Sequence, residues 1–209
     1  ERLLTIDMII SPNFLNSIAQ SYKITEDSQK SILSENKNYF FKSGHTDINR
    51  NYDIFLSHSY LDKVHVLALV KLFNIHQFSV YVDWLEDNQL NREDVNVHTA
   101  NLLRNRMKHS KCLSYLTTEN ITKSKWCPWE IGYFDGLKQS KCCILPVMEY
   151  GCEFNGQEYL GLYPYLEYAS FAGVDAACDF YICNQNRTEF IKLRDWIKGS
   201  TKYYKGILV

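Results

Sequence analysis

The chain has 209 residues, 45% hydrophobic and 22% charged, with a formal net charge of -1. That length supports one ample domain, or one domain with an extension, and the near-zero charge excludes nucleic-acid binding driven by a basic surface. No apolar run is long enough to span a membrane and no signal peptide is visible, so a cytoplasmic location is expected. The chain opens at Glu1 without a methionine, which is compatible with its being a piece of something longer. Seven cysteines, Cys112, Cys127, Cys142, Cys143, Cys152, Cys178 and Cys183, make an odd count without a CxxC pair. They read as free thiols of a reducing compartment, and no metal site is expected.

Residues 1–48 read as a helical extension. Ser11-Pro12 is a cap followed by a first-turn proline, and Phe14, Ile18 and Tyr22 then recur at helical spacing. A second helix is expected from about Glu26 to Phe41, and Gly44 to Asn51 reads as a polar linker. The pattern then changes to strands alternating with helices. Tyr52–Ser57 is a strand, Leu61–Phe73 a helix, Ser79–Trp84 a second strand and Leu85–Asp94 a polar loop. A helix over His98–Lys108 precedes a third strand, Lys111–Thr118. The helix holding Glu130 runs to about Leu137, and Cys142–Met148 is a fourth strand. Tyr165–Ser170 is a candidate fifth, and a final helix is expected from about Arg187 to Lys198. The tail KYYKGILV either packs on the sheet or orders in an assembly.

Near-continuous apolar strands alternating with helices are the mark of a parallel sheet covered on both faces. The expected fold is α/β: a doubly wound, flavodoxin-like sheet of five parallel strands over residues 49–209, plus the N-terminal extension. Ligands of such folds bind beyond the carboxyl ends of the strands. The candidate site therefore comprises Ser57 to Tyr60, Asp83 to Asp87, Thr117 to Asn120 and the helix start near Trp126. Neither GxGxxG nor GxxxxGK[ST] is present, so no dinucleotide fingerprint or P-loop is supported.

Three stretches, in order, carry a family resemblance. YDIFLSHSYLDK resembles the opening of TIR domains, with a tyrosine-aspartate strand, a serine at its end and an aspartate, Asp62, starting the first helix. SVYVDWLEDNQLN resembles their second strand and BB loop. SKCLSYLTTENITKSKWCPWEIGYFDGLK is similar to the segment with a WCxxE signature, here Trp126, Cys127, Pro128, Trp129 and Glu130. The resemblance spans roughly Tyr52 to Lys198 and is of the bacterial, NAD-cleaving, Thoeris-like antiphage kind. It implies an enzyme that breaks the nicotinamide–ribose bond of NAD+ as substrate, with no other cofactor and Glu130 as the catalytic residue. It also implies self-association through TIR domains and a separate effector answering an ADP-ribose-derived signal.

The residues fit that chemistry. Nicotinamide leaves as a neutral molecule, so one carboxylate stabilising the ribosyl cation is enough, where most glycosidases need two. Trp126 lies one helical turn before Glu130 and either stacks the nicotinamide ring or fills the core. Ser57, His58 and Ser59 either contact the ribose and phosphates or form a capped turn, Ser59 being the capping candidate. Asp83 and Trp84 either line the pocket or close an Asx-type turn. Two readings of other classes stand beside the enzyme: a non-catalytic TIR scaffold, and a response-regulator-like phosphoacceptor. The phosphoacceptor lacks the clustered acidic residues it needs after the first strand and the aspartate it needs at the end of the third.

Overall fold

The computed structural model describes residues 4–5, 10–32, 49–87, 96–148, 158–171 and 178–205. Its centre is a nine-stranded sheet. The strands are β1 (Leu4–Thr5), β2 (Tyr52–Ser57), β3 (Val80–Tyr81), β4 (Ser110–Thr117), β5 (Cys142–Pro146), β6 (Tyr165–Phe171), β7 (Asp179–Cys183), β8 (Glu189–Lys192) and β9 (Tyr204–Lys205). They lie in the order β3-β2-β4-β5-β6-β7-β8-β9, with β1 pairing β6. The first five along that path run parallel, with Ile54 opposite Val80 and Cys112, Leu113 opposite Cys142, and Ile144 opposite Tyr165.

The helices are α1 (Pro12–Ser21), α2 (Lys63–Ile75), α3 (Asp83–Glu86), α4 (Val97–Lys108), α5 (Cys127–Lys138) and α6 (Leu193–Ile197). Successive strand side chains point to opposite faces, which explains the unbroken apolar runs. Ile54, Leu56, Cys112, Leu116, Cys143 and Leu145 join one cluster with α2 and α6. Phe55, Leu113, Tyr115, Cys142 and Ile144 join the other with α4 and α5. The chain leaves β2 through α2 toward β3 and returns through α4 to β4 on β2's other side. The strand order therefore reverses between β2 and β4, where such sheets open a crevice at their carboxyl ends.

The amino-terminal segment joins the first cluster. Ser11 Oγ accepts the Phe14 N–H at 3.0 Å, and Pro12 opens α1. Leu15 and Ala19 face the core beside Ile10, Ile24 and Ile32, Phe14 and Ile18 of the expected stripe pack half-buried against it, and Tyr22 is exposed. Only the start of the expected second helix, through Ile32, lies within the described residues.

The structure departs from the sequence reading in several places, among them β1, a strand paired with β6 inside the segment read as helical. The second strand is short: after Val80–Tyr81 the chain turns into α3 at Asp83. The expected final helix is a strand, β8, followed by the single turn of α6. The strand β7, not expected, pairs antiparallel with β6 and forms a hairpin with β8. Asn184 closes that hairpin, its Oδ1 accepting the N–H groups of Thr188 and Glu189 at 2.8 and 3.2 Å. In the tail, Tyr204–Lys205 extends the sheet edge on β8.

Candidate active site

Ser57 ends β2 with the same parity as Phe55, so it points to the face that α5 covers. Pro128 sits in the first turn of α5, where its missing N–H leaves no bond unmade. The same first turn brings Glu130 over Ser57. The Ser57 hydroxyl donates to Glu130 Oε2 at 2.6 Å, and both side chains are 0% exposed. A short hydroxyl–carboxylate bond of this kind is among the strong ones. It lies at the switch point between β2 and β4. The thiol of Cys127 donates to the His58 carbonyl at 3.1 Å, tying the first turn of α5 to the end of β2.

His58, Asp83 and Trp84 come together as a second buried group. His58 Nδ1 lies 2.8 Å from the Leu56 carbonyl, which only accepts, so that nitrogen carries the proton. Its Nε2 then accepts the Trp84 indole N–H at 2.6 Å. Asp83 Oδ1 lies 3.7 Å from Nε2, a distance that would suit an ion pair. The two hydrogen bonds require a neutral ring, however, and they decide the matter. With both nitrogens engaged, His58 is placed to orient Trp84. Asp83 Oδ1 accepts the Trp84 backbone N–H at 2.8 Å, a bond to the next residue rather than the Asx-type turn.

Ser59 and Trp126 stand apart from these groups. Ser59 Oγ accepts the Leu61 N–H at 3.4 Å and so caps the 3-10 turn Tyr60–Asp62. Trp126 is 5% exposed and packs in the aromatic cluster. Its ring meets Trp129 edge-on at 5.4 Å, Trp129 stacks on Tyr133 at 5.6 Å, and Arg104 lies over both of those rings. In this arrangement Trp126 packs against the protein's own aromatic rings.

Of two further neighbours, Tyr115 had no signal in the sequence, and Asp62 was noted only as the aspartate that starts the first helix. Tyr115, on β4, has its phenol pushed well above the ordinary tyrosine value, first by burial and then by Cys127, Tyr159 and Glu130. It stays a neutral hydroxyl beside the carboxylate. Asp62, buried, accepts the Thr118 hydroxyl and the Asn120 amide. The BB-loop residues 88–94 lie outside the described residues. Among the described residues, no three His, Cys, Asp or Glu side chains group as a metal site, and no helix is long and apolar enough to cross a membrane.

No family model matches the chain. Over 190 residues it is 42% identical to a Bacillus cereus (strain MSX-D12) protein named a probable 3' cyclic ADP-D-ribose synthase, ThsB', covering 89% of this chain and 93% of that protein. Over 126 residues it is 30% identical to a Cytobacillus dafuensis protein provisionally named a cyclic ADP-D-ribose synthase, TIR2. That match covers 56% of this chain but 33% of the longer relative.

Proposed function

The chain belongs to the bacterial TIR family of ThsB', and from that premise we propose that it cleaves NAD+ at the nicotinamide–ribose bond and closes the ADP-ribosyl part into a cyclic signal. The observation that carries the reading is the Ser57–Glu130 pair, 2.6 Å apart and fully buried at the switch point of the sheet. The relatives' names add support, since both are named as cyclic ADP-D-ribose synthases.

In the proposed reaction, Glu130 faces the ribose as positive charge develops at its anomeric carbon. Nicotinamide departs neutral, so no general acid is needed. This agrees with a His58 whose two ring nitrogens are already engaged. Ser57 holds the carboxylate in one orientation before the substrate arrives, which is the preorganisation that such stabilisation depends on. A ribose hydroxyl attacking the cation gives a cyclic product, and water gives ADP-ribose. The relatives' names favour the cyclic product. Because Glu130 is 0% exposed, NAD+ reaches it only after the cover shifts. We attribute that shift to self-association, and the use of the product to a separate effector in antiphage defence. Residues 49–209 form the TIR unit in this reading and residues 1–48 an extension. No cofactor beyond the substrate is invoked.

The scaffold reading draws on the same burial, because a carboxylate with no solvent access also suits a purely structural role. Nicotinamide release from NAD+ by the concentrated chain and by Glu130→Ala separates the two. Release that falls by on the order of 10²–10³ in the variant supports the enzyme. Equal release by both removes Glu130 from the chemistry. Mass analysis of the product then tells ring closure from hydrolysis.

A further inference from the structure

The connections that follow β2 and β4 meet a second time, at Asp62. Asp62 ends the turn after β2 and is 7% exposed. Its Oδ2 accepts the Thr118 hydroxyl at 2.6 Å, and its Oδ1 accepts the Asn120 side-chain amide at 2.8 Å. Thr118 Oγ1 in turn accepts the Asn120 backbone N–H at 3.1 Å, which closes a triangle. Both bonds to Asp62 are charge-assisted. Their targets are two residues apart on one strand of chain, so they fix its rotation as well as its distance.

That chain is the route from β4 to α5. Asn120 leads into the turn Ile121–Lys123, Ser124 Oγ accepts the Cys127 N–H at 3.3 Å, and the Glu130 N–H bonds the Trp126 carbonyl at 2.8 Å. A shift at Thr118–Asn120 is therefore carried into the first turn of α5. A cavity of ≈ 380 Å³, lined by Tyr60, Asp62, Lys63 and Asn120 among others, opens against the triangle. Packing leaves room on that side, and the hydrogen bonds decide where the connection sits.

We propose that Asp62 is a positioning residue: through Thr118 and Asn120 it sets the place from which α5 presents Glu130 to Ser57. The proposal rests on the NAD+-cleaving reading of Glu130. A misplacement of about 1 Å at a reacting group costs roughly 10²-fold in rate, so Asp62 acts on turnover without touching the substrate.

The test compares Asp62→Ala with Asp62→Asn by steady-state nicotinamide release and by hydrogen exchange followed peptide by peptide. An asparagine can still accept from Asn120 and donate to Thr118, because a hydroxyl works in either sense. For Asp62→Ala the expected result is faster exchange over residues 118–131, unchanged exchange in β2 and β5, and kcat down roughly 10²-fold with KM unchanged. Asp62→Asn restores most of both. Should Asp62→Ala fail to fold, Asn120→Ala removes one side of the triangle and gives the same pattern in weaker form. Unchanged exchange over 118–131, a rise in KM alone, or an asparagine variant as damaged as the alanine one overturns the proposal. A wild-type chain that releases no nicotinamide overturns the reaction, and Asp62's part in it. Exchange unchanged in an active protein overturns Asp62 alone.

Discussion

The two faces of the sheet are made of different materials. The face under α2 is mainly aliphatic, with phenylalanines among it: Val66 to Val70, Leu72 and Phe73 pack with Ile54, Leu56, Val80, Val82, Leu116, Leu145 and Phe180. The face under α5 is aromatic and thiol-rich, with Tyr52, Tyr81, Tyr115, Trp126, Phe134, Cys127 and Cys142. It also buries Ser57 and Glu130. The first face gains mainly apolar burial. A face holding a buried carboxylate must surround it with donors and neutral dipoles, which hydroxyls, thiols and indoles supply. In the proposed reading, one side chiefly stabilises the fold and the other holds the carboxylate that the reaction would use.

The largest effect expected from this contrast is on the aliphatic side. Phe73 stacks on Phe180 at a ring distance of 4.3 Å and is fully buried. Phe73→Ala should cost about 3–5 kcal/mol in urea unfolding, while nicotinamide release per folded molecule stays at the wild-type level. A matching loss of release from molecules that remain folded would break the contrast.

Ser57→Ala should have a smaller effect on stability, about 1–3 kcal/mol, because it removes a donor from a buried carboxylate. It should also depress turnover, which Phe73→Ala does not. A variant with unaltered turnover would remove the hydroxyl from the mechanism.

The smallest effect concerns pH. Glu167 lies on the same face of β6 as Tyr165, and Arg187 bonds it at 2.9 Å. Burial pushes its carboxyl above the ordinary carboxylate range, with Arg187 pulling the other way. The folded chain therefore keeps this proton to higher pH than the unfolded chain. Stability attributable to it is greatest at low pH and declines as pH rises from the ordinary carboxylate value through the raised one. Urea midpoints measured across that window should fall less steeply for Glu167→Gln than for the wild type.

Much of this architecture was legible from the chain. β2, β4 and β5 are apolar on both sides because both sides are covered, and Ser57 and Glu130 stand at a strand's carboxyl end and a helix's first turn. The final helix was misread because Phe190, Leu193 and Ile197 recur at helical spacing. The turn that Asn184 closes overrides that periodicity and commits Glu189–Lys192 to the sheet. The Asp62 triangle was out of reach because its partners lie 56 and 58 residues away along the sequence. The internal partners of His58 and the packing of Trp126 were out of reach for the same reason: they depend on residues distant in sequence.

The most direct test of the account is Glu130→Gln, with nicotinamide release and urea unfolding measured on the same preparation. Glutamine keeps the shape and can still accept from Ser57, but it carries no charge to stabilise a ribosyl cation. The account predicts a loss of release on the order of 10²–10³, with a urea midpoint equal to or above that of the wild type. Release retained at the wild-type rate, with a lowered midpoint, would mean that Glu130 is a structural carboxylate and would contradict it.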